Sequence, residues 1–585
     1  MLKKFFISML GTIAGLWISG LIFGVLAISF FVGLIASSAD KDVDLTQKSV
    51  LYLDLKGNMA DRNQPGDIWQ IINSVENPSE SLVDVINAIH HAAIDAKIKG
   101  IYINANDLMA GLAAREEIIN ALREFKESGK WVIAYADNYT QDDYLLATLA
   151  DDVYLNPMGG VDVRGMMSQV PFVKGLLDKI GIKMQILRVG KFKSAVEPFF
   201  ETKMSEASRL QTQIMVDSMW NYTASTIAEN RQKSIDDVNH WADSMLAFQS
   251  PEKVVESGAV TALKYRREVE DIIRKKCNVE AGAELPLITP SQYMLLNSDI
   301  LLGEDHIAVL FAQGDIVDSG ESGIVGETMV PEIIELAEDD NVKAMVLRVN
   351  SGGGSAFASE QIWEALEYFK SKGKELYVSM GDYAASGGYY ISCGANKIFA
   401  DHNTLTGSIG VFGMIPDMSG LITDKLGVTF ATVKTNRNTD VPVINQPMTA
   451  EQLAAMQNMV ELTYDTFTKR VANGRGMTQD AVKEIAEGRV WTGGSARELG
   501  LVDEIGGLQN AINAIADVAN ISADKVVYYP NVEDNFMTQL VTTAITDVSV
   551  GNVTIDANTM RMIKFVEYLQ TMPYIQARME PIDIQ

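Results

Sequence analysis

The chain repeats itself. Phe125-Lys126-Glu127-Ser128-Gly129-Lys130 returns as Phe369-Lys370-Ser371-Lys372-Gly373-Lys374, an offset of 244 residues from 125 to 369. Asp143-Tyr144-Leu145 through Asp152-Val153-Tyr154 lies over Gly388-Tyr389-Tyr390 through Lys397-Ile398-Phe399 at an offset of 245, from 143 to 388. The register persists, with Met204 on Met448, Trp220 on Tyr464, Arg231 on Arg475 and Gly258 on Gly500. Two copies of one fold in tandem are therefore expected. The copies differ chemically: Ala384-Ala385-Ser386-Gly387-Gly388 faces Tyr139-Thr140-Gln141-Asp142-Asp143, which puts Ser386 opposite Gln141.

A chain of 585 residues is too long for one core and suits two domains of about 200 residues or more plus an extension. The 76 acidic and 49 basic residues give a formal charge of −27, which argues against nucleic acid or an anionic membrane surface as the main partner. Two cysteines, Cys277 and Cys393, have no paired spacing, so neither a disulfide framework nor a metal knot is indicated.

Between Lys4 and Asp40 lies an uncharged run of 35 residues, 5–39, rich in Phe, Leu, Ile, Val and Gly. A spanning helix needs roughly 20 apolar residues and a cleavable signal only about 7–15, so the run reads as an uncleaved anchor. The alternative is a signal peptide cut near Ala36-Ser37-Ser38-Ala39. Lysines before the span and acids after it place the tail inside and the bulk outside.

The remainder alternates strands and helices. Gly100–Asn104 and Ala344–Asn350 read as strands, each followed by a helix, and the second helix is expected from about Ser359 to Lys372, with Ile362, Leu366 and Phe369 at helical spacing. Trp131–Tyr135 and Leu376–Ser379 are the next strands, which makes parallel βαβ units. The pattern breaks around 265–303, where the charged Arg266–Lys276 stretch leads into Pro286 and Pro290; this reads as the inter-repeat connection, with Cys277 in it. The expected division is a tail and anchor at 1–40, a first repeat at 41–270, a connection at 271–303, a second repeat at 304–535 and a C-terminal extension at 536–585.

Two turns of the second copy are chemical candidates. Asn350-Ser351-Gly352-Gly353-Gly354-Ser355, between strand and helix, leaves amides free to face a negative oxygen. Ser386 follows small residues and enters an apolar helix whose first amides are unpaired, a place where developing negative charge is favoured; the alternative is that it merely caps that helix. A serine hydroxyl needs a base. Of the five histidines only His402, in Asp401-His402-Asn403, follows a strand, and it reads as a solvated loop residue, with a Ser-His pair left open. A lysine serves only in its neutral form. Arg188–Phe200 holds two, Lys191 and Lys193, and periodicity does not choose between them.

Lys193-Ser-Ala-Val-Glu-Pro-Phe199, Asn350-Ser-Gly-Gly-Gly354, Ser386-Gly-Gly-Tyr389 and Leu405-Thr-Gly-Ser-Ile-Gly-Val411 together resemble the signal peptide peptidase A family in its long protease IV form, over nearly the whole chain. The resemblance implies a Ser/Lys dyad on an α/β fold shared with Clp protease and crotonase, duplicated in tandem behind one transmembrane helix. It makes Ser386 the nucleophile and Lys193 the general base, with Lys191 a neighbour. It assigns Ser408 to orienting the lysine and the Gly354 and Gly387 amides to an oxyanion hole. It further implies apolar signal peptides as substrates, a homotetramer, a bacterial inner-membrane location with the catalytic part outside the cytoplasm, and no metal or organic cofactor. The family usually has proline where Gly352 stands, and glycine leaves that loop freer. An acyl-CoA enzyme of crotonase type and a non-catalytic membrane scaffold are the other classes considered.

Overall fold

The computed structural model describes residues 49–62, 80–296, 304–320, 322–530 and 575–579. The apolar run 5–39 lies outside the described residues, as does most of 536–585. Among the described residues no helix is long and apolar enough to cross a membrane.

The repeat is visible element by element. Helices Leu82–Ile94, Leu112–Glu127 and Glu206–Arg231 return as Gly326–Glu338, Ala356–Ser371 and Ala450–Arg475, each 244 residues on. Strands Trp131–Ala136 and Asp152–Leu155 return as Glu375–Ala385 and Lys397–Ala400. Strands Ser49–Asn58, Ile98–Met109, Trp131–Ala136 and Asp152–Leu155 are parallel neighbours in one sheet, with Ala262–Leu263 and Leu287–Ile288 at its edges. The second copy builds the same centre from His306–Gln313, Val342–Ser351, Glu375–Ala385 and Lys397–Ala400.

Parallel strands need covered faces. Ile362, Leu366 and Phe369 are buried in the second core, each contributing about 1.5–3 kcal/mol of burial. Their helix starts at Ala356, three residues before the expected start, because the Ser355 hydroxyl accepts the Ala358 amide at 3.2 Å and caps it there. On the other face of the first sheet lies helix Arg266–Lys276, where the sequence suggested the repeat was ending. Val269 and Ile273, four residues apart, turn inward with Cys277 against Val50, Tyr102 and Ile133, while the charges that mask this face in composition point away. Leu287–Ile288 then pairs with Val50 and Leu51, so part of the expected 271–303 connection is an edge of the first sheet.

The halves interlock through buried charge. Arg348 makes a two-pronged contact with Asp61 at 3.1 and 3.2 Å and reaches Glu117 at 2.5 Å, all three buried. Asp382 accepts from the Ala113 and Ala114 amides at 3.0 and 3.2 Å. It thereby caps a first-copy helix that has no side-chain cap of its own. Burial pushes the Asp382, Glu117 and Asp401 carboxyls up, Asp401 well above the usual carboxylate range, and both Asp401 oxygens lack a hydrogen-bond partner among the described residues.

A third, mixed sheet joins the copies. Strand Lys183–Arg188 of the first half pairs antiparallel with Phe412–Asp417 of the second, Arg188 opposite Phe412 and Lys183 opposite Asp417. This pairing carries the chain that follows Arg188 across into the second half.

Candidate active site

Beyond Arg188 the crossing chain is held by backbone contacts: Val189 donates to the Val411 carbonyl at 3.1 Å and Phe192 to that of Glu487 at 3.0 Å. Gly190, at φ +98°, runs so close to Glu487 that a Cβ there would lie 2.3 Å from its carbonyl oxygen. Gly488 is equally constrained, since a Cβ on it would meet the Lys193 Cβ at 2.6 Å. Lys193 belongs to the first copy in sequence and sits in the second in space.

Ser386 ends strand Glu375–Ala385 at a sharp turn, φ +56° and ψ −113°, a conformation that costs a residue with a side chain on the order of 1–3 kcal/mol. Its amide donates to the Gly407 carbonyl at 2.8 Å, which fixes the turn. The helix-cap alternative is not realised, because the Ser386 side chain makes no cap bond to helix Gly387–Ser392. Instead the Lys193 Nζ donates to Ser386 Oγ at 2.7 Å. The same Nζ donates to the Ser408 carbonyl at 3.0 Å and to Ser408 Oγ at 3.1 Å, and Ser408 Oγ in turn donates to the Gly488 carbonyl at 3.3 Å. Ser386, Lys193 and Ser408 are 0, 1 and 2 % exposed.

The other candidates separate cleanly. Lys191 is exposed and pairs with Glu487 at 2.9 Å. His402 stacks on Tyr222 and holds Glu116 through Nδ1 at 2.6 Å, a contact that raises its pKa. Arg437, opposite Lys193 in the repeat, pairs with Glu451 at 2.7 Å on the surface. Gln141, opposite Ser386, clamps a loop by accepting from the Arg164 and Gly165 amides.

Gly354 and Gly387 converge. A Cβ on Gly387 would lie 3.1 Å from the Gly354 amide nitrogen, and one on Gly354 would be 2.0 Å from the Ile316 carbonyl oxygen. Neither position has room for a side chain. The Gly353-Gly354-Ser355 strand has a partner that sequence reasoning missed: Ile575–Arg578 pairs antiparallel with it and with Phe412 and Gly413 on the other side. Four residues of mixed polarity carry no periodic signal, so nothing local announced that strand. The Glu487-Gly488-Arg489 turn that packs on Lys193 was missed for the same reason.

The Peptidase family S49 profile matches residues 124–280 and 368–522, two segments whose starts are 244 residues apart. The chain belongs to peptidase family S49. "Protease 4" of Haemophilus influenzae is 36% identical over 562 residues, covering 92% of this chain and 91% of that protein. "Serine protease SPPA, chloroplastic" of Arabidopsis thaliana is 29% identical over 489 residues, 82% of this chain and 70% of that one. "Putative signal peptide peptidase SppA" of Enterococcus faecium is 37% identical over 231 residues, 38% of this chain and 67% of its own. This S49 peptidase is a serine protease, and the acyl-CoA and scaffold classes considered from sequence are set aside.

Proposed function

We propose that Ser386 is the nucleophile and Lys193 the general base of a membrane-anchored endopeptidase that degrades signal peptides left after preprotein processing. The observation that carries this reading is the 2.7 Å contact between Lys193 Nζ and Ser386 Oγ, buried at the junction of the two copies. Removal from water disfavours an ammonium, and the neutral amine is the form able to take a proton. Lys193 withdraws the Ser386 proton as Oγ attacks a peptide carbonyl. The Gly354 and Gly387 amides hold the developing oxyanion, and the proton passes to the leaving amine. Water then releases the acyl group by the reverse sequence. Ser408 keeps Nζ aimed at Oγ through its hydroxyl and carbonyl.

The signal-peptide substrate rests on the resemblance and on the name of the Enterococcus faecium relative. The apolar run 5–39 supports an inner-membrane anchor with the catalytic part outside the cytoplasm, held at the bilayer surface where apolar peptides are concentrated. A ClpP/crotonase-like character for the two copies and a homotetramer complete the proposal. The test is labelling with a fluorophosphonate beside turnover of an apolar peptide, for wild type and Ser386→Ala. Labelling and turnover that vanish together in a folded Ser386→Ala support the dyad, and turnover that survives overturns it.

A further inference from the structure

A glutamine of the first copy spans the gap between the lysine and the serine turn. Gln211 lies on helix Glu206–Arg231, one and two turns before Met215 and Met219. Residues four apart share a helix face, and this face packs on the second copy, with Met215 and Met219 against Ala385, Leu405 and Val490. Gln211 is itself 4 % exposed, so its amide needs partners inside the protein.

Those partners lie on both sides of the dyad. Gln211 Nε2 donates to Ser194 Oγ at 3.1 Å and to the Phe192 carbonyl at 3.4 Å, which brackets Lys193 between its chain neighbours. Gln211 Oε1 accepts from the Val490 amide at 3.0 Å. Val490 stands opposite Gly407 in the antiparallel pairing of Val490–Thr492 with Leu405–Gly407. The Gly407 carbonyl is the acceptor that fixes the Ser386 turn, and the carbonyl of Arg489, next to Val490, accepts from the Ser408 amide at 2.7 Å. The partners also dictate which way the glutamine points. A carbonyl only accepts and a backbone N–H only donates, so Nε2 must face Phe192 and Oε1 must face Val490.

The repeat supplies a control. Gln211 falls on Ala455 of helix Ala450–Arg475, and Ala455 is exposed. That helix forms without a glutamine at this place, and the corresponding segment carries Arg437 on the surface where the first copy has Lys193. The fold of a single copy therefore does not require Gln211. What sets the first copy apart is the passage of Lys193 into the second.

We propose that Gln211 is a positioning residue for the dyad, its amide holding Phe192, Ser194 and Val490 together so that the Lys193 amine stays on Ser386 Oγ. The inference rests on the Ser386/Lys193 reading. A lysine amine sits on a long flexible stem, so where its backbone is held decides whether Nζ reaches Oγ. Gln211 acts on that backbone and takes no proton itself.

Steady-state kinetics of the full chain on an apolar peptide test this, with Gln211→Met and Gln211→Asn beside Ser386→Ala. Met matches glutamine in length and removes every hydrogen bond; Asn keeps the amide but is too short to reach both sides. Misplacing a catalytic group by about 1 Å costs about 100-fold in rate, so Gln211→Met is expected to lose about 10- to 100-fold in kcat and Gln211→Asn several-fold, with KM within about twofold of wild type. Rates are taken per folded molecule, with folding checked by circular dichroism. A merely structural role would lower the urea midpoint and leave kcat per folded molecule unchanged. Wild-type kcat in either folded variant, or a loss that lies in KM alone, overturns the positioning role, and an inactive Ser386→Ala then leaves the dyad standing. If Gln211→Met does not fold, Gln211→Asn decides. Turnover that survives in folded Ser386→Ala overturns the dyad and this inference with it.

Discussion

Among the described residues, replacing Ser408 by alanine removes one hydrogen bond from the Lys193 amine and leaves those to Ser386 Oγ at 2.7 Å and the Ser408 carbonyl at 3.0 Å. Serine and alanine both carry a Cβ, so the positive φ of 47° at this position costs both about the same. The Gly488 carbonyl loses its 3.3 Å donor, a long bond of small worth. What remains is one neutral hydrogen bond, about 0.5–1.5 kcal/mol, and with each tenfold in rate equal to about 1.36 kcal/mol the expected fall in kcat is about 2- to 13-fold. The assay is steady-state turnover of an apolar peptide across pH 6–10, with Lys193→Ala as the comparison. A Ser408→Ala enzyme as inactive as Lys193→Ala would refute the reasoning, because the hydroxyl would then be relaying the proton itself. Wild-type kinetics at every pH would refute it from the other side.

Ser386→Ala, Lys193→Ala and the double variant are expected to be inactive to a similar degree, because members of one catalytic unit are not additive. Lys191→Ala, which loses an exposed ion pair worth at most about 1 kcal/mol and an exposed contact over the Phe192 ring, keeps most of its turnover, and single-variant kinetics decide between the lysines. Arg348→Met strands Asp61 and Glu117 in the junction between the halves and is expected to destabilise by about 3–5 kcal/mol, read as a lower urea midpoint. Asp401→Asn is expected to stabilise. A carboxyl raised in the folded state by burial costs native stability as pH climbs above its unfolded value near 3.9, so the gain in urea midpoint is large at pH 8 and shrinks toward pH 4.

The repeat, the parallel α/β architecture and the identity of the residues that meet were all legible in one dimension. The offset of 244 survives in the starts of three helix pairs because each copy must bury the same face of the same elements. Ser386 was legible because a small-residue run before it and glycines after it are what a tight strand-to-helix turn demands. Arg266–Lys276 was misread as the start of a linker, since its inward Val269 and Ile273 are outnumbered by charge and only packing against the first sheet reveals them. Asp382, which caps a helix of the other copy, left no local trace at all.

By itself the sequence determined the fold class, because hydrophobic period and turn chemistry are local properties that neighbouring residues impose on one another. It also determined which lysine-bearing segment to watch, through the motif around Lys193. Only the tertiary structure put the amine of Lys193, and not that of Lys191, within 2.7 Å of Ser386 Oγ, set His402 against Glu116, and brought Ile575–Met579 to the edge of Gly353–Ser355. The first of those outcomes depends on the antiparallel pairing of Lys183–Arg188 with Phe412–Asp417. That pairing joins residues more than 200 positions apart, and its stability comes from main-chain hydrogen bonds available to any side chains, so no pattern in either segment announces its partner.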